Sequence, residues 1–185
     1  MSTRQIYKGR IVDLRLDEVD LPNGQSVTLE VIHHPGAAAV VAVDAQGAVT
    51  LIRQFRHAAG GFIWEVPAGT LNPGEAPEAC ARRELREEAG LVATSWTALG
   101  SVLTTPGFCD ERIHLFLARD LRDDTQALDH DEVLTVSRVP LQRALEMVRS
   151  GELDDAKSIA ALHRAAVELG ALKASGERRV DGAMR

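Results

Sequence analysis

Aromatic side chains are scarce in this chain: two Trp, one Tyr and four Phe, or 4% of 185 residues. Its core must therefore be built mainly from Val, Leu, Ile and Ala. Cysteine is scarcer still. Cys80 and Cys109 form no C-x-x-C pair and no zinc-type cluster, and a reducing cytoplasm is the expected setting. No run of about 18 apolar residues occurs, which argues against a membrane-spanning helix. The opening MSTRQIYKGR has no apolar stretch of the secretory kind. Basic residues are outnumbered, 21 Lys and Arg against 27 Asp and Glu, for a net charge of -6. They are scattered apart from Arg178 and Arg179, so there is no nucleic-acid footprint. A net acidic protein still binds an anionic substrate when a divalent cation carries the local charge.

The length suits one domain, able to bury a core without disulfides or other covalent staples. Apolar and polar residues alternate from Ile11 to Leu21, and Pro22–Gly24 reads as a hairpin turn before the returning strand SVTLEVIHH. AAAVVAVD and AVTLIRQFR are two further strands, the first apolar enough to be covered on both faces. GFIWEVPAG reads as a strand closing in a Pro-Ala-Gly turn. A helix follows, with Pro77 in its first turn and Gly90 as its stop. TSWTALGSVL and RIHLFLARDL flank the loop Thr104–Glu111, and VLTVSRVP is the last strand. Two helices finish the chain, Leu141–Gly151 and a second from near Asp154 to Gly170. This order points to a mixed sheet with helices on both faces. The polar segment after it reads as a frayed tail.

The helix between Pro77 and Gly90 carries an electrostatic problem. Three of its glutamates fall within five residues, Glu84, Glu87 and Glu88. At about 100° per residue, Glu88 lies about 40° from Glu84 and Glu87 about 60° to the other side. Like charges that share a face repel. A solvated acidic face is one reading of such a run. The other is a site for Mg²⁺ or Mn²⁺, which favour hard oxygen ligands.

The surrounding spacing favours the metal. From Gly69, five residues lead to Glu75, and seven more to Arg83-Glu84-Leu85, then Arg86, Glu87-Glu88, Ala89, Gly90 and Leu91. This matches every fixed position of the Nudix box, and the chain resembles the Nudix hydrolases. The resemblance implies an α+β fold, a Nudix α/β/α sandwich with a mixed sheet, to which an N-terminal antiparallel β hairpin element is added. It implies metal ligation by Glu84, Glu87 and Glu88, with a backbone carbonyl from Ala68 or Gly69. Glu75 and Arg83 are then an ion pair that shapes the loop, and Gly69 and Gly90 serve backbone turns. Arg83 and Glu87 count with a general base among the residues serving the chemistry. The nucleophile is a metal-activated water, so neither cysteine is needed.

Segments outside the box resemble the ADP-ribose pyrophosphatase branch: LIRQFRH, WEVPAG, TTPGFCDE with Pro106 sixteen residues after Gly90, and GELDDAKSIAAL. By position, Arg56 contacts a substrate phosphate, with Arg53 a second candidate. Glu65 and Glu111 accept hydrogen bonds from adenine or ribose. Pro106, Gly107 and Phe108 form the loop on the terminal-ribose side. His33, His34 and His57 have no metal spacing with the acidic helix and read as structural. The branch often shows Glu-x-Glu before the last strand. This chain has His130 and Glu132 there, so Glu132 is the expected base, with Asp131 and Asp129 as alternatives.

The resemblance further implies a homodimer in which Ile6–Arg15 line the neighbour's site. Residues 1–40 are then the N-terminal element, 41–171 the hydrolase domain and 172–185 the flexible tail. The implied reaction is hydrolysis of ADP-ribose to AMP and ribose 5-phosphate. GDP-mannose or ADP-glucose as substrate is the alternative, and a non-catalytic nucleotide sensor a third reading. No nucleic acid or membrane partner is expected.

Overall fold

The computed structural model describes residues 2–128, 130 and 132–172. Three strands come first: β1 (Thr3–Lys8), β2 (Asp13–Asp20) and β3 (Ser26–His33), an antiparallel sheet in the order β1-β2-β3. The turn between β2 and β3 falls at Pro22–Gly24 as expected. Gly24 takes φ 83 there, and its N–H bonds the Leu21 carbonyl at 2.9 Å. β1 was not legible in the sequence. All six of its residues are exposed, so no buried face imposes an alternating pattern.

β4 (Ala37–Ala42) is the centre of the molecule, with all six residues buried. It pairs in parallel with β9 (Arg112–Asp123) and antiparallel with β7 (Ala68–Thr70). β8 (Leu91–Leu103) completes that sheet against β9. A second layer is the antiparallel sheet β10-β5-β6, from β10 (Leu134–Pro140), β5 (Ala48–Arg56) and β6 (Gly61–Glu65). The expected Pro-Ala-Gly turn is in part a strand. Ala68 to Thr70 pair with β4, and the Pro67 carbonyl accepts from the Val40 N–H at 2.9 Å.

Side chains alternate across β4. Ala37, Ala39 and Val41 pack with Ala144 and Met147 of α2 (Leu141–Ser150) and Ala161, Leu162 and Ala165 of α3 (Ala156–Glu168). Ala38, Val40 and Ala42 pack with Cys80, Ala81 and Leu85 of α1 (Pro77–Ala89). Helices therefore cover both faces of one strand, the α/β/α sandwich implied by the sequence. Alanine at four of these six positions lets the helices approach the sheet closely. Fully buried leucines such as Leu85, Leu117 and Leu162 each contribute about 2 kcal/mol from burial. A domain boundary at residue 40 would cut through β4.

The N-terminal sheet is fastened to the loop after β8. His33 sits between two carboxylates, with Nδ1 2.7 Å from Asp110 and Nε2 3.2 Å from Asp17. The Ile32 N–H bonds the Phe108 carbonyl at 2.8 Å.

Candidate active site

α1 starts at Pro77, whose missing N–H costs nothing in the first turn, and stops at Gly90 in a left-handed conformation, φ 62. Its Ala81 and Leu85 face β4, which tips Glu84 and Glu88 under β7. Glu88 is only 1% exposed and Glu84 only 7%. The Glu88 Oε2 accepts the Ala68 N–H at 2.8 Å. Glu84 lies flat against Gly69: a Cβ there would stand 1.8 Å from its Oε1. This close approach is the physical reason for glycine at position 69.

Burial pushes the Glu88 carboxyl up to about 8, with the Glu84 and Glu132 charges adding to the effect and the Ala68 N–H and Arg56 opposing it. Burial also raises Glu84, against the pull of Arg83. Arg83 is the protein's own partial remedy. Its Nη1 bonds Glu84 at 2.5 Å and Glu87 at 3.1 Å. Among the described residues, no trio of His, Cys, Asp or Glu side chains is already closed around one point. Arg83 stands between two of the carboxylates, and mutual repulsion keeps such groups apart until a cation joins them. Their oxygen donors and uncompensated charge fit a hard divalent cation. Of the two carbonyl candidates, Gly69 already accepts the Cys80 thiol at 3.4 Å, which favours Ala68. Burial pushes the Cys80 thiol up to about 12, leaving it an inert packing group.

Arg83 also fixes the loop before the helix. Its Nε and Nη2 grip the two oxygens of Glu75 at 2.9 and 3.0 Å, and Nη2 reaches the Thr70 carbonyl at 3.2 Å. Glu75 in turn accepts the Asn72 N–H at 2.9 Å. The Arg83 hydrogen bonds hold the Glu75 carboxyl down at about 2, against an ordinary 4.5. A lowered folded value stabilises the fold above the ordinary value and is lost as pH falls towards 2. Glu75→Gln is therefore expected to cost about 1–2 kcal/mol at pH 7, allowing for solvent screening. Urea titrations of both proteins at pH 7 and pH 3.5 check this: the difference between them shrinks at the lower pH.

Two adjoining clefts meet at β7. The first, about 410 Å³, is lined by Glu84, Glu87, Glu88, Arg56, Gln54 and Glu132 among others. The second, about 610 Å³, shares Arg56, Ala68, Gly69 and Thr70 and extends to Glu111, Thr104, Thr105 and Lys157. Glu65 stands at the junction, its Oε2 bonded by Arg56 at 2.8 Å and its Oε1 by Lys157. Lys157 also bonds Asp155 at 3.0 Å, and Asp155 caps α3 by accepting the Ser158 N–H at 2.9 Å. The first turn of α3 thus steadies the arginine between the clefts.

The remaining expected residues are distributed unevenly. Glu111 lines the second cleft and approaches His34 at 3.5 Å. Arg53 lies on the opposite face of β5 from Arg56, with its guanidinium over Phe62 and Trp64 at 5.7 and 5.9 Å from the ring centres. Pro106, Gly107 and Phe108 are on the exposed loop and line neither cleft in this chain; Phe108 is 53% exposed. Asp129 and Asp131 lie outside the described residues. Arg10 and Ile11, expected near a neighbour's site, line the first cleft of their own chain. The segment before Glu132 is tied to the end of α1. Asp124 and Ala127 donate to the carbonyls of Gly90 and Glu87 at 2.8 and 3.0 Å, and the Gln126 amide donates to that of Glu88.

Lys157 and Gln54 belong to the clefts but were not singled out from the sequence. Gln54 had a legible signal, a polar residue at an inward position of a strand. Lys157 had none beyond its place in DDAKS, since its partner Glu65 is 92 residues away.

Comparison with known proteins identifies the family of the chain. A sequence model of the NUDIX domain matches residues 33–162. The ADP-ribose pyrophosphatase of Bacillus subtilis (strain 168) is 42% identical over 164 residues, 88% of this chain and 89% of that protein. The methanol dehydrogenase activator of Bacillus methanolicus is 38% identical over the same shares of each chain. A solved structure described as an ADP compounds hydrolase superposes with a TM-score of 0.79 at 22% identity, over 92% of this chain and 93% of the other, a likeness of fold. Residues 33–162 include the complete box and both clefts' principal carboxylates, and the chain belongs to the Nudix family of pyrophosphohydrolases.

Proposed function

We propose that the protein hydrolyses the pyrophosphate bond of ADP-ribose, giving AMP and ribose 5-phosphate, with Mg²⁺ or Mn²⁺ held by Glu84, Glu87, Glu88 and the Ala68 carbonyl. The observation that carries this reading is the buried carboxylate group of α1, facing a cleft that continues past Arg56 into a second, larger one. The name of the 42% identical Bacillus subtilis relative supports the substrate. When bound, the cation would neutralise phosphate oxygens and make a water nucleophilic near neutral pH.

The chain's own residues do the rest. Arg56 meets a phosphate oxygen of the substrate, its orientation kept by Glu65 and Lys157. Water adds its oxygen to one phosphorus, the bridging P–O bond breaks, and Glu132 takes the water's proton. Glu132 suits that task because it lines the same cleft as the α1 carboxylates. Glu111, Thr104 and Thr105 supply polar contacts for the sugar in the second cleft. A homodimer fits the apolar side chains left exposed on the N-terminal sheet, Ile6, Tyr7 and Leu29. No described helix is long and apolar enough to cross a membrane.

Phosphate release with added alkaline phosphatase, over a panel of nucleoside diphosphate sugars with Mg²⁺, tests the reading. ADP-ribose should be the best substrate. Turnover of GDP-mannose well above it sinks the substrate assignment, and turnover of no member sinks the enzyme reading. Glu132→Gln is expected to lower kcat by about a hundredfold, the usual scale for a general base, with KM little changed. A near-normal kcat would move the proton transfer elsewhere.

A further inference from the structure

Gln54 carries an unexplained atom. Its residue is 4% exposed, and its side-chain oxygen is buried with no hydrogen-bond partner among the described residues. Orphaned buried acceptors are rare in native proteins, because the lost hydration is not repaid. Gln54 is on β5, two residues before Arg56 and on the same face of the strand, and it lines the first cleft. An amide oxygen there needs a donor. The same cleft is lined by Glu84, Glu87, Glu88 and Glu132, and carboxylates that hold a cation are ionised and only accept. Phosphate oxygens of a substrate also only accept. Arg56 is turned to Glu65, and Arg83 to Glu75, Glu84 and Glu87. The donor that a group of carboxylates itself recruits is the water shell of a hard divalent cation, which keeps several of its waters when bound.

We propose that the Gln54 side-chain carbonyl is a positioning group for the cation site: it accepts a hydrogen bond from a water carried by the divalent cation that Glu84, Glu87 and Glu88 hold. This rests on the metal reading of α1. It explains why β5 places a neutral amide, rather than an apolar residue, at a buried position in a cleft lined by four acidic groups. A carboxylic acid there would add to the repulsion, and a leucine would leave the cation's outer waters unanchored on that wall. Metal sites depend on such second partners nearly as much as on the ligands themselves.

The test is Mn²⁺ binding to the substrate-free protein, followed by electron paramagnetic resonance of the free ion. Gln54→Leu and Gln54→Met remove the acceptor and keep the volume. Each is expected to weaken Mn²⁺ binding by about tenfold, the lower end for loss of a partner behind a metal ligand. The metal-free Tm should stay or rise, because an orphaned oxygen has been removed from the interior. Gln54→Glu keeps an acceptor, and its Mn²⁺ affinity should stay closer to that of the unaltered protein than to that of the Leu variant. Wild-type affinity in either apolar variant overturns the proposal, as does an equal loss in Gln54→Glu. Glu88→Gln serves as the control. If it too binds Mn²⁺ normally, the metal reading of α1 has failed; if it alone loses the ion, only the role of Gln54 has.

Discussion

Glu88→Gln should lower kcat by about a thousandfold or more, equivalent to roughly 4 kcal/mol of lost transition-state stabilisation, while the metal-free protein folds as well as before. The two halves of this expectation have one cause. Glu88 is buried and its carboxyl is pushed up to about 8, so without a cation it is largely uncharged at pH 7. Glutamine is a close copy of that neutral form, and its amide oxygen can still accept the Ala68 N–H. What it cannot do is become a carboxylate for a cation. A raised folded value stabilises below the ordinary 4.5 and is lost as pH rises through about 8. The Tm of the chelator-treated protein should therefore fall between pH 6 and pH 9, and Glu88→Gln should flatten that fall. Steady-state kinetics and a thermal scan across pH measure both. Retained activity would show that the box residues do not serve the chemistry assigned to them.

Gly69→Ala is the second large effect, and it acts through shape. The added carbon would stand 1.8 Å from Glu84 Oε1 and 2.2 Å from Cδ. One side must yield. If Glu84 turns away, a proposed metal ligand is lost. If β7 lifts, the Ala38–Gly69 pairing with β4 and the Ala68 N–H on Glu88 are strained together. Either way kcat should drop by about a hundredfold, comparable with losing a metal's supporting partner. Tm should also fall by several degrees, as for overpacking of a buried site by about 1–3 kcal/mol. Normal kinetics in Gly69→Ala would mean that Glu84 lies elsewhere in the working enzyme.

The box could be read in the sequence because its logic is local. Three glutamates one helical turn apart must share a face, and Gly90 must end the helix. Glu75 and Arg83 are eight residues apart, and their pairing is carried by the same motif. β4 was equally legible, since an unbroken apolar run has to be covered twice. Other features depend on distant partners. β1 buries nothing, so its pattern is silent. β7 is too short to show a period, and only β4 makes it a strand. Arg53 and Arg56 look equivalent in LIRQFRH, yet they lie three positions apart and strand alternation sends them to opposite faces. Glu65 reads as a free acceptor until Lys157, far along the chain, closes on it.

The hydrogen bonds from residues 124–127 to the carbonyls of Glu87, Glu88 and Gly90 make the last turn of α1 a mooring for the segment that carries Glu132. From Ala127 to Glu132 is five residues, a leash of at most about 17 Å. On its other side Val133 accepts the Phe55 N–H at 3.0 Å, so the proposed proton acceptor is moored both to α1 and to β5. An excursion of Glu132 out of the cleft must first bare those helix-end carbonyls or release the Phe55 N–H. Amide exchange at Asp124 and Ala127 would then act as the clock of that opening.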